Sequence, residues 1–100
     1  MKGILINPGK EPVVTSLPET LQGIEAYLQG TCLMRIFPLT PEVLFFREVD
    51  ISAQPNRQFR GSVIYGPILC YGWRNNSIQP VGKNLQTELL ERLKGWEVKV

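Results

Sequence analysis

One hundred residues, 43% hydrophobic and 20% charged with a formal net charge of +2, fit a single small globular domain spanning residues 1–100, with enough apolar surface to fold unaided. The chain has no histidine, which excludes Ser-His-Asp and Cys-His nucleophilic catalysis, histidine-based zinc sites and a histidine pH switch. The short apolar run near the N-terminus is no signal-peptide core, and no apolar run nears the roughly 18 residues of a membrane span, so the expectation is a cytoplasmic protein. Cys32 and Cys70, each set in an apolar run, are then expected to be reduced, buried thiols.

Lys2 to Ile6 reads as a short strand. Asn7-Pro8-Gly9-Lys10 follows as a type II turn, proline presetting φ at its second position and glycine accepting a positive φ at its third. Pro12-Val13-Val14-Thr15 resumes extended structure, at a sheet edge given the prolines. Ser16-Leu17-Pro18-Glu19 has the capping-box pattern and predicts a helix starting there, with Leu21, Ile24 and Leu28 along one stripe, Tyr27 beside it and Gly30 as the left-handed stop.

Cys32–Phe37 and Val43–Phe46 read as two strands joined by Pro38-Leu39-Thr40-Pro41. Ser52 to Arg60 is poor in apolar residues and centres on Gln54-Pro55-Asn56-Arg57, so an exposed loop is expected there. Ser62 to Trp73 is the longest β-rich run, with a bulge or bend at Gly66-Pro67, and Asn75-Asn76 is a hairpin turn into Ser77–Val81. Asn84 to Lys94 carries Leu85, Leu89, Leu90 and Leu93 on one helical face, with Gly95 after it and Arg92 and Lys94 in the last turn. Trp96 to Val100 alternates at period two and suits a short edge strand. This order lacks regular βαβ alternation, so the expected class is α+β: a mostly antiparallel sheet of five to seven strands with two helices packed on one face.

Charge divides unevenly along the chain. Residues 1–50 hold four basic and six acidic side chains, residues 51–100 seven basic and three acidic, and no acidic residue occurs between Ile51 and Thr87. That segment interleaves Arg57, Arg60, Arg74 and Lys83 with Phe59, Tyr65, Tyr71 and Trp73. One sign of charge mixed with aromatics suits an anion, a nucleotide-like ligand or a protein partner. The candidate binding residues are Asn56, Arg57 and Arg60, whose planar donors match phosphate or carboxylate, with Phe59 and Trp73 as stacking or anchoring surfaces and Arg74 beside them. The competing reading of Asn56 and Arg57 is ordinary turn chemistry.

The alternative function is an RNA- or DNA-binding domain using segment 51–87 as a stacking platform, with Tyr65, Tyr71 and Trp73 on the open face of a sheet. Catalysis is not expected: the carboxylates form no evident acid/base dyad, and the Gly9-Lys10 pair lacks the upstream glycine, the following Ser or Thr and the helix of a phosphate loop. No metal-ligand spacing and no cofactor motif is present. The N-terminal strand and the Trp96–Val100 tail are candidate edges for a homodimer.

Four motifs in register carry a resemblance over nearly the whole chain. They are Ile6-Asn7-Pro8-Gly9-Lys10-Glu11-Pro12, the helix Leu21 to Gly30, Pro55-Asn56-Arg57, and Ile64-Tyr65-Gly66-Pro67-Ile68-Leu69-Cys70-Tyr71-Gly72. In order and spacing the sequence resembles a small bacterial domain family of unknown function carried by phages, prophages and conjugative elements, often encoded near antirestriction proteins. It departs at Arg47-Glu48-Val49-Asp50, where the family has an Asn-Glu-Glu-Gly hairpin, and at Thr31, where the family has a second glycine. The resemblance implies a mobile-element setting and a protein that binds and modulates a host or defence component; it implies no reaction.

Overall fold

The computed structural model describes residues 1–37, 42–47, 55–59 and 62–95. Its elements are β1 (Lys2–Ile6), β2 (Val13–Ser16), α1 (Leu21–Leu28), β3 (Cys32–Phe37), β4 (Glu42–Arg47), β5 (Pro55–Phe59), β6 (Ser62–Tyr65), β7 (Ile68–Arg74), β8 (Ser77–Gln79) and α2 (Lys83–Gly95). A six-stranded sheet runs in the order β2-β1-β7-β4-β3, with β8 pairing β7, while β5 and β6 form a separate two-stranded hairpin. Every pairing is antiparallel, so the α+β class with an antiparallel sheet holds. The expected edge strand at 96–100 lies outside the described residues, as does the connection at 38–41.

The turns follow from local chemistry. The Lys10 amide donates to the Asn7 carbonyl at 3.2 Å and Gly9 takes φ 71°, the type II geometry that proline at the second position and glycine at the third favour. Asn75 and Asn76 both adopt left-handed φ, 53° and 57°, making the two-residue hairpin turn whose twist matches its strands. At Gly66, φ 77°, the long 62–73 run does more than bend: β6 stays in the hairpin and β7 enters the main sheet.

Helix α1 corrects two expectations. It starts at Leu21 rather than at the Ser16–Glu19 pattern, and its N-cap is Thr20, whose hydroxyl accepts the Gly23 amide at 3.0 Å. Leu17 is unavailable for a first turn because it is buried in the core and its amide is held by the Met1 carbonyl at 2.8 Å. At the other end Gln29, not Gly30, takes the left-handed conformation with φ 61°. The Gln29 amide bonds Ala26 O and the Gly30 amide bonds Glu25 O, a Schellman pair.

The placement of the helices is also corrected. Antiparallel register puts Ile4, Cys70 and Leu44 on one sheet face and Leu5, Leu69 and Phe45 on the other. The first face packs with Ile64, Val81 and Leu89 of the hairpin and α2, with Leu85 and Leu90 at the margin. The second packs with Leu17, Ile24 and Leu28 of α1. The two helices therefore cover opposite faces. The reason lies in the central strands: Ile68 to Tyr71 and Val43 to Phe45 are buried without alternation, and a single layer of helix would leave Leu69, Tyr71, Val43 and Phe45 in water. Tyr71 and Phe45 meet edge to face at 5.7 Å, and the Tyr71 hydroxyl donates to the Pro18 carbonyl at 2.6 Å, tying the segment that leads into α1 to the sheet.

Candidate functional site

The Pro55-Asn56-Arg57 segment begins β5, with Pro55 half-buried and Asn56 and Arg57 buried at 1% and 0% exposure; the exposed loop expected across Ser52–Arg60 is thereby corrected for these residues. Pairing runs Pro55 to Tyr65 and then Arg57 to Ile64, with a register shift between them. This bulge inserts Asn56 as an extra residue and lets two successive side chains enter the interior.

Once inside, both read backbone. The Asn56 amide donates to Ile6 O at 2.8 Å and to Gly66 O at 2.7 Å. Arg57 NH1 donates to Asn56 O at 3.0 Å and Asn56 Oδ1 at 2.9 Å, and NH2 donates to Lys10 O at 3.2 Å. Three motifs far apart in sequence thus meet at one point: the turn after β1, the start of β5, and the Gly66 switch between β6 and β7. Buried carbonyls demand donors, and these two side chains supply them. The site accordingly staples the hairpin to the sheet, and the Arg57 donors that a phosphate would use are directed at protein oxygens.

The other predicted residues do not gather around it. Trp73 lies at the far end of β7, half-buried against the α1-side core, and Arg74 is exposed beside the Asn75-Asn76 turn. Phe59 closes β5, in register with Ser62, and Arg60 lies outside the described residues. The stacking platform fares similarly: Tyr71 is fully buried and Tyr65 and Trp73 are half-buried, so the aromatics of segment 51–87 do not line one open face. A shallow cleft of ≈ 230 Å³ lies between Glu11, Pro12, Leu90 and Glu91; its two carboxylates repel an anion, and its volume is below that of ordinary small-molecule sites.

Sequence reasoning missed two features. The first is a buried ion pair on the α2 side, where Arg92 NH1 donates to Glu42 Oε1 at 2.6 Å with Glu42 at 0% exposure; the sole hint was a carboxylate heading an apolar run. Cys70 is buried close by, and burial, with the Glu42 charge as a lesser cause, pushes its thiol pKa upward. Cys32 is half-buried rather than buried, its pKa raised by desolvation and then by Glu25. Among the described residues no group of three or more Cys, Asp or Glu is gathered to hold a metal ion, and no helix is long and apolar enough to cross a membrane.

The second missed feature is the outer strand of the sheet. β3 pairs β4 on one side, and among the described residues no strand pairs its other side. Leu33, Met34 and Ile36 stand 41%, 49% and 40% exposed along it. Tyr27 of α1 is also exposed. Clean alternation at β3 is absent from the sequence because apolar residues stand on both of its faces, with Arg35 the one charge among them, close to the pattern of an interior strand on a strand that is outermost among the described residues. Comparison with known proteins returns nothing: no family model matches the chain, and no curated protein or solved structure matches it.

Proposed function

We propose that this is a non-catalytic binding protein that works through a protein–protein contact, with β3 as the contacting edge. The observation that carries the reading is the six-residue edge strand with Leu33, Met34 and Ile36 exposed on it. An edge strand presents backbone donors and acceptors that an incoming strand completes, and its alternate side chains give the contact selectivity. Natural edges are blunted by charged side chains, proline or a bulge; the residues Cys32 to Phe37 contain one charge, Arg35, and no proline, and β3 pairs β4 without a register shift. A small anionic ligand at Asn56 and Arg57 is the weaker form of the reading, because their donors serve the staple. The resemblance to the mobile-element family adds the setting: the partner belongs to the host or to its defence machinery.

The test is a photo-crosslinking residue placed at Met34 and, as control, at exposed Asn76, in protein expressed in the natural host. Specific protein adducts from position 34 alone are expected. Equal or absent adducts from the two positions contradict the reading.

A further inference from the structure

We propose that the β5–β6 hairpin is a strap that opens as a unit about Gly66-Pro67 while the six-stranded sheet and both helices stay folded. The hairpin is a sheet of its own, and among the described residues no backbone hydrogen bond joins it to the main sheet. Its described hold on the apolar core is the side chain of Ile64, which shares a cluster with Ile6, Leu44, Ile68, Val81 and Leu89. Val63 and Tyr65 on either side are half-buried, and Gln58 is exposed. The main-sheet strands are held quite differently: Val43-Leu44-Phe45 of β4 and Ile68 to Tyr71 of β7 are buried without a break.

Asn56 and Arg57 form the latch. The Asn56 amide reaches Ile6 O across the junction at 2.8 Å and Gly66 O at the pivot at 2.7 Å, and Arg57 NH2 reaches Lys10 O at 3.2 Å. When the strap lifts, such bonds are exchanged for bonds to water at small net cost, whereas lifting a strand of the main sheet exposes a whole apolar run. Losing one of them alone leaves a buried carbonyl without its donor, so the two side chains let go together and the strap has two discrete states. The pivot is Gly66, at φ 77°, where the chain passes from β6 into β7. Opening withdraws Ile64 from Ile6 and Ile68 and takes Arg57 away from Lys10 O, so this buried junction meets solvent in the open state alone.

Native-state hydrogen exchange of the intact chain at low urea tests the strap. A free two-stranded hairpin is marginal in water, so the amides of Gln58, Val63 and Ile64 exchange whenever it opens. They are expected to be at least about tenfold less protected than those of Leu44, Phe45, Leu69 and Cys70, with a shallower urea dependence. Ile24→Val separates the two events, because Ile24 packs on the opposite sheet face and keeps its contacts whether the strap is open or closed. It is expected to speed exchange of the main-sheet amides by about 2–10-fold and to leave the hairpin amides within about twofold. Hairpin amides that match the main sheet in protection and urea dependence, and speed up with it in Ile24→Val, overturn the strap. Hairpin amides with no protection at all overturn it too, since they leave no closed state to open.

Discussion

Replacing Asn56 with alanine removes the amide that bridges Ile6 O and Gly66 O at 2.8 and 2.7 Å, together with the Oδ1 that accepts from Arg57. An intramolecular hydrogen bond contributes about 1 kcal/mol net, and a buried group left without its partner loses about 1–3 kcal/mol. Two carbonyls and one guanidinium donor are affected, so the expected destabilisation is about 3 kcal/mol, a large part of the roughly 5–15 kcal/mol available to a domain of this size. At about 4–8 °C per kcal/mol the melting temperature falls by about 12–24 °C, measured by circular dichroism with a urea titration beside it. Asn56→Asp separates polarity from volume: it leaves no cavity, yet sets a carboxylate oxygen against the two carbonyls, so it is expected to destabilise at least as much. A change within about 0.5 kcal/mol for both variants, the behaviour of an exposed turn residue, refutes the staple.

Other consequences are open to direct test. Gln29→Gly relieves a non-glycine left-handed residue at the end of α1 and is expected to raise stability by about 0.5–1 kcal/mol in urea unfolding; a loss contradicts the cap geometry. Arg92→Ala takes a charged partner from fully buried Glu42 and is expected to destabilise by about 3–5 kcal/mol, with Arg92→Ala/Glu42→Leu recovering much of it. Burial holds the Cys70 thiol and the Tyr71 phenol protonated above their ordinary ranges. The unfolded chain therefore releases those protons first, so stability is intact at neutral pH and falls as pH rises past the thiol and then the phenol range; Cys70→Ala should flatten the first part of that decline. At pH 8 an alkylating reagent is expected to modify half-buried Cys32 slowly and Cys70 only on unfolding, read by mass spectrometry.

Much of the backbone was legible because local chemistry decided it. Pro8-Gly9 and Asn75-Asn76 specify their turns whatever surrounds them, and the apolar runs at 32–37, 43–46 and 68–73 are strands by composition alone. What escaped was set by distant partners. The start of α1 depends on Leu17 being drawn into the core and tied to Met1, which no window around Ser16 reveals. The two-sided burial of the sheet was written in the unbroken runs Ile68-Leu69-Cys70-Tyr71 and Val43-Leu44-Phe45, a signal for a strand covered on both faces. Asn56 and Arg57 read as turn residues because asparagine and arginine are polar, and only a bulge in β5 together with the carbonyls of Ile6, Lys10 and Gly66 turns them inward. The β3 edge was invisible for the converse reason: an apolar run gives no sign of whether its strand lies inside the sheet or at its margin.

Native mass spectrometry of the protein purified gently from its natural host, with a Met34→Lys/Ile36→Lys variant alongside, tests the protein-binding edge most directly. The expected result is a wild type that carries a host-protein adduct and a folded variant that has lost it. A nucleotide or nucleic-acid adduct retained by both, or a bare monomer in both, contradicts the account.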